Sequence, residues 1–180
     1  MKYVYLLFAT FILFPTIVLG VDLGDLTKKE EHAQALSLLC MQTKFDPEEL
    51  HSVMKNFDKK KVLPKKFLKA AGTGAEFGYA VKLVNQVYFV TYGSRQQTFG
   101  GPFCSIMVEN VSFREAKTVI KEYFSSFKFV KDDKMGLSSV SLFVGPAPGY
   151  QKDLVMAVQT EAGLSNFSFF FADPKLIVGR

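Results

Sequence analysis

The chain has no tryptophan, and among its 180 residues there are only two cysteines and two histidines. These shortages exclude several kinds of chemistry. Cys40, Cys104, His32 and His51 lack the short paired-ligand spacing of a structural zinc site, so no metal is expected. A nucleophilic cysteine needs a base within reach, and nothing in the spacing of these four residues supplies one. No Walker loop, H-E-x-x-H or G-x-S-x-G motif occurs. Gly72-Thr73-Gly74 follows a helical pattern and precedes a strand pattern. That is the reverse of a nucleotide-binding glycine loop, so it reads as a helix end and a turn. No cofactor is expected.

Charge of one sign is also modest. The chain carries 22 basic and 17 acidic residues, a net +5, which falls to +4 if residues 1–20 and their single Lys2 are removed. That excess is too weak to point to nucleic acid. It permits weak contact with an anionic surface, which salt screens. With 48% apolar and 22% charged residues the chain is not of disordered type. Its length suits one domain with a full core, and its 19 phenylalanines read chiefly as packing.

The one long apolar run lies at the start. Lys2 is followed by Val4, Leu6, Leu7, Phe8, Phe11, Ile12 and Leu13, then by Pro15, with Val18 and Gly20 ahead of Val21. A positive start, an apolar middle and a small-residue end predict a signal peptide over 1–20, cut before Val21. The alternative is a retained anchor, since the run is long enough to span a bilayer. No second run of that length follows, so no transmembrane segment is expected once the signal is removed. The expected location is periplasmic or extracellular.

Export places Cys40 and Cys104 in an oxidising compartment, where a pair is expected to form a disulfide. Thr27 and Glu30 form a capping-box pattern for a helix across roughly 28–42, with Ala33, Leu36, Leu39, Cys40 and Thr43 along one stripe. Cys104, Ile106 and Val108 share one face of an alternating strand. Both sulfurs are therefore expected to point inward.

A second helix is predicted from Asp46-Pro47-Glu48-Glu49, with Leu50, Val53, Met54 and Phe57 at helical spacing. A basic stretch follows, Lys59, Lys60, Lys61, Lys65, Lys66 and Lys69, with a short helix over 64–71. Strand patterns come next: 77–83, 87–92 after an Asn85-Gln86 turn, and the Cys104 strand. Ser112 and Glu115 open the clearest amphipathic helix, whose stripe includes Phe113, Ala116, Val119, Ile120, Tyr123, Phe124 and Phe127. Strands at 138–144, 154–161 and 167–172 complete the order, the last apolar on both faces and so central or covered on both sides.

This order predicts an α+β fold. N-terminal helices precede an antiparallel sheet of about six strands with one central amphipathic helix. An αβββ-αβββ arrangement is compatible with it, and residues 21–180 are expected to form a single domain.

The favoured functional reading is a non-enzymatic exported binding or interaction module for an unidentified ligand or protein. Arg95, Tyr150 and Lys152 are candidate contacts on Gly- and Pro-containing loops. One alternative is a hydrolase-type enzyme with an unrecognised site, using the same loop residues and His51 as a base. Another is peripheral binding to an envelope surface through the basic cluster Lys59–Lys69, with Lys59, Lys60 and Lys61 at its head. Asn110-Val111-Ser112 and Asn166-Phe167-Ser168 match the N-glycosylation pattern. Asn110 is the better acceptor, because Asn166 adjoins a strand expected to be buried.

Overall fold

In a computed structural model, which describes residues 26–70, 74–94, 102–135, 138–146, 153–161 and 164–171, the Thr27–Glu30 capping box is formed. The Thr27 hydroxyl accepts the Glu30 amide, and the Glu30 carboxylate accepts the Thr27 amide at 2.8 Å. This box opens helix α1 (Lys28–Leu36).

The single helix expected over 28–42 is instead two elements, because α1 continues as a π-helix over Ser37–Met41. Here Gln42 donates its amide to the Ser37 carbonyl. Side chains reach the later carbonyls. Thr43 Oγ1 lies 3.1 Å from the Leu39 oxygen and 3.0 Å from that of Cys40, and the Tyr92 hydroxyl donates to Leu39 as well. These bonds satisfy carbonyls that the end of the helix leaves without backbone donors. The expected stripe nonetheless faces inward: Ala33, Leu36, Leu39, Cys40 and Thr43 are all buried.

Helix α2 (Pro47–Met54) starts as its sequence predicts, with the Asp46 carboxylate accepting the Glu48 amide at 2.8 Å and Pro47 in the first turn. Strand β1 (Lys60–Val62), helix α3 (Lys65–Ala70), and strands β2 (Phe77–Lys82), β3 (Val87–Gly93) and β4 (Phe103–Glu109) follow. Helix α4 (Phe113–Tyr123) is capped by the Ser112 hydroxyl, which accepts the Glu115 amide. It ends at Tyr123, so Phe127 is buried from outside the helix. Strands β5 (Lys128–Met135), β6 (Ser138–Pro146), β7 (Asp153–Glu161) and β8 (Leu164–Phe171) complete the order.

The fold is α+β with an antiparallel sheet, but the sheet has eight strands, not about six, in the order β1-β2-β3-β4-β8-β7-β6-β5. The two unforeseen strands are its edges, β1 and β5. Their sequences, Lys-Lys-Val and a segment rich in Lys and Asp, lack an apolar alternation because edge strands bury little. Each half of the chain therefore contributes four strands rather than three, and the halves meet where β4 pairs with β8. Strand β8 lies inside the sheet, as expected.

Nor is there one central helix. Helices α1 and α4 lie side by side on one face of the sheet, linked at their exposed sides by Lys29–Glu122 at 3.2 Å and Lys28–Glu115 at 4.0 Å. Between this layer and the sheet lies the main core, which includes Leu36, Leu39, Ile106, Val119, Ile120, Met156 and Phe167. A smaller cluster of Phe103, Val140, Leu142 and Val155 lies on the opposite face. Cys40 and Cys104 form the expected disulfide, with Cα atoms 5.6 Å apart and both residues fully buried.

Candidate binding site at the lysine-rich sheet margin

Strand β1 forms one margin of the sheet, with α2 on one side of it and α3 on the other. Lys60 pairs with Val81 and Val62 with Tyr79, and Val81 and Tyr79 belong to the helix-facing core. Lys61 pairs with Ala80, which points to the opposite face. Leu63 brings the chain onto that face. Its amide donates to the Gly78 carbonyl at 2.9 Å, and its side chain packs where a Cβ on Gly78 would stand, 3.0 Å from the Leu63 methyl. The Phe67 ring then stacks on Phe89 with centroids 5.6 Å apart, seating α3.

The lysines of this margin are exposed: Lys59, Lys60, Lys61, Lys65 and Lys66. Seven lysines and one carboxylate, Asp58, between positions 55 and 69 give +6 against +5 for the whole chain, so all the rest sums to −1. Elsewhere among the described residues Lys28, Lys29, Lys117 and Lys131 meet carboxylates, as in Lys117–Asp132 at 2.7 Å and Lys131–Asp133 at 3.6 Å. Among the described residues, Lys59, Lys61, Lys65 and Lys66 form no ion pair, and Lys60 donates only to the Phe57 carbonyl at 2.8 Å.

Beside the margin, Pro47, Glu48, His51, Ser52, Lys55 and Phe77 line a groove of about 560 Å³. All but Phe77 are exposed, so the groove is shallow. His51 Nδ1 lies 2.6 Å from the Tyr79 hydroxyl at its base. Burial raises the Tyr79 pKa and keeps the phenol neutral. Among the described residues no hydrogen bond joins His51 to Ser52, and Cys40 and Cys104 are oxidised. No group of three metal-ligating side chains occurs among them either, and no helix among them is long and apolar enough to cross a membrane.

Of the other predicted residues, Arg95, Tyr150 and Lys152 lie outside the described residues, as do residues 1–20 of the expected signal. Asn110 is exposed between β4 and α4, whereas Asn166 is half-buried within β8. The two histidines do not meet. His32 is buried and lies 2.8 Å from the Tyr88 hydroxyl.

Three features escaped the sequence reading. Glu31 is fully buried and accepts the Asn85 amide at 3.0 Å and the Gln86 amide at 3.0 Å, tying α1 to the β2–β3 turn. The hydroxyls of Tyr79, Tyr88 and Tyr92 each meet a residue of the helical layer: His51, His32 and Thr43. The groove itself depends on α2 lying over β2. The available signal was the placement of three phenols, with their polar tips, on the apolar face of β2 and β3.

Comparison of the chain with protein-family models, with curated proteins and with solved structures finds no match.

Proposed function

We propose that the protein is an exported, non-enzymatic binding module that attaches to an anionic membrane surface through the lysine margin of β1 and α3. The carrying observation is that Lys59, Lys60, Lys61, Lys65 and Lys66 are gathered on this margin, exposed and with no carboxylate partner among the described residues, whereas Lys28, Lys29, Lys117 and Lys131 are each paired. Lysines near an anionic lipid surface each contribute about 1 kcal/mol of attraction. The remainder of the chain sums to −1, so the net positive charge is carried by this segment. Export is supported by the signal-like composition of residues 1–20 and is compatible with the buried disulfide. Binding rather than catalysis is supported by the shallowness of the groove around His51.

Vesicle co-sedimentation tests the reading. The purified protein should pellet with vesicles containing phosphatidylglycerol and not with pure phosphatidylcholine. Raising salt from about 0.01 M to about 1 M shortens the screening length from roughly 30 Å to roughly 3 Å and should release it. Replacing Lys59, Lys60, Lys61, Lys65 and Lys66 by Gln should weaken partitioning on the order of a thousandfold. Binding that survives these replacements, or absence of binding at low salt, overturns the proposal.

A further inference from the structure

The two N-x-Ser motifs occupy opposite environments. Asn110 is exposed in the turn from β4 to α4, at φ 58°, a left-handed conformation that asparagine tolerates better than most residues. Its backbone carbonyl accepts the Lys28 ammonium at 2.8 Å, and no hydrogen bond engages its side-chain amide among the described residues. Ser112, the third residue of the motif, is exposed too. Asn166 differs in each respect. It is half-buried in β8, paired with Met107 on one side and Gln159 on the other, and its Oδ1 accepts the Ser105 hydroxyl at 2.8 Å. A glycan on its amide would have to disrupt that contact and stand on a half-buried face of the sheet.

We propose that Asn110, and not Asn166, is an N-glycan acceptor in a secretory pathway that attaches glycans. This rests on the export part of the proposed function. The donor class is a lipid-pyrophosphate-linked oligosaccharide. A bond forms between Asn110 Nδ2 and the anomeric carbon, the bond from that carbon to the pyrophosphate oxygen breaks, and the lipid pyrophosphate leaves as the amide gives up a proton.

The test is expression of the full chain in cultured insect cells, with intact-mass measurement of the secreted protein before and after peptide:N-glycosidase F. One glycan is expected. Asn110→Asp should abolish it, and this variant keeps a side chain tolerant of the left-handed turn. Ser112→Thr retains both the motif and a helix cap and should keep the glycan. Asn166→Gln should leave the glycan unchanged. Secretion without a glycan, or with one that Asn110→Asp does not remove, overturns this inference alone. Retention in the cell with residues 1–20 attached and no glycan overturns export along with it.

Discussion

His32 Nδ1 lies 2.8 Å from the Tyr88 hydroxyl, and each residue is only 1% exposed. Burial is the main reason the imidazole pKa lies below its ordinary 6.5. The Lys28 charge adds to the shift, while Glu115 and Glu31 oppose it. His32 Nε2 has no partner among the described residues, so a proton added there would enter a buried site without an acceptor. The unfolded chain takes up this proton near pH 6.5 and the folded chain only below it. Stability from this group is therefore complete above 6.5, declines as the pH falls below that value, and levels off beneath the folded pKa. Urea midpoints measured from about pH 7.5 to about pH 5.5 should fall. His32→Gln should flatten that slope, and an unchanged slope in the variant would place the titration elsewhere.

The Cys40–Cys104 bridge should carry a large share of the stability. The residues are 64 apart in sequence, and in the chain-entropy account a loop of that size is worth about 4 kcal/mol. For a chain of this length that corresponds to a melting temperature lower by on the order of 10 °C after reduction. Differential scanning calorimetry with and without reductant measures it. Free-thiol labelling of the denatured, unreduced protein should find neither cysteine. Labelling of both sulfurs without reductant would refute the pairing.

The legible parts of this fold were those in which a residue's chemistry is satisfied locally. Thr27 with Glu30, Asp46 with Pro47, and Ser112 with Glu115 mark helix starts because each cap needs only neighbours within three residues. The inward faces of Cys40 and Cys104 followed from helix and strand periodicity. Features that depend on distant partners were not legible. The end of the π-helix is satisfied in part from afar, since the Leu39 carbonyl accepts from Thr43 and from Tyr92, and Tyr92 is 53 residues away from it. Edge strands β1 and β5 exist because β2 and β6 supply their hydrogen bonds, not because their side chains alternate. At the site, the lysine cluster was visible as composition, but its position on a sheet margin beside the His51–Tyr79 groove was not.

Removing the Glu31 carboxylate should destabilise the protein well beyond an ordinary surface change. It is fully buried, and its oxygens accept two backbone amides of the β2–β3 turn. Hydrogen bonds to a charged group and the desolvation of orphaned donors together place the cost of Glu31→Ala at about 3 kcal/mol. Glu31→Gln keeps one acceptor oxygen and should cost less. Chemical denaturation of the two variants orders them, and an alanine variant as stable as the parent would remove the anchoring role.

The lysines of β1 lie on an open sheet edge, where positive charge also discourages pairing with another chain. The two roles predict different consequences for two substitutions of the same residues. Lys59, Lys60 and Lys61 replaced together by Thr would leave a neutral, β-prone edge beside Val62, itself 58% exposed. That variant should lose anionic vesicle binding and also self-associate in sedimentation velocity. Replacement by Glu keeps the edge charged and reverses its sign. It should abolish vesicle binding while the protein stays at the parent's oligomeric state. If the Glu variant still binds anionic vesicles, the lysines serve the edge alone, and the attachment surface lies elsewhere on the molecule.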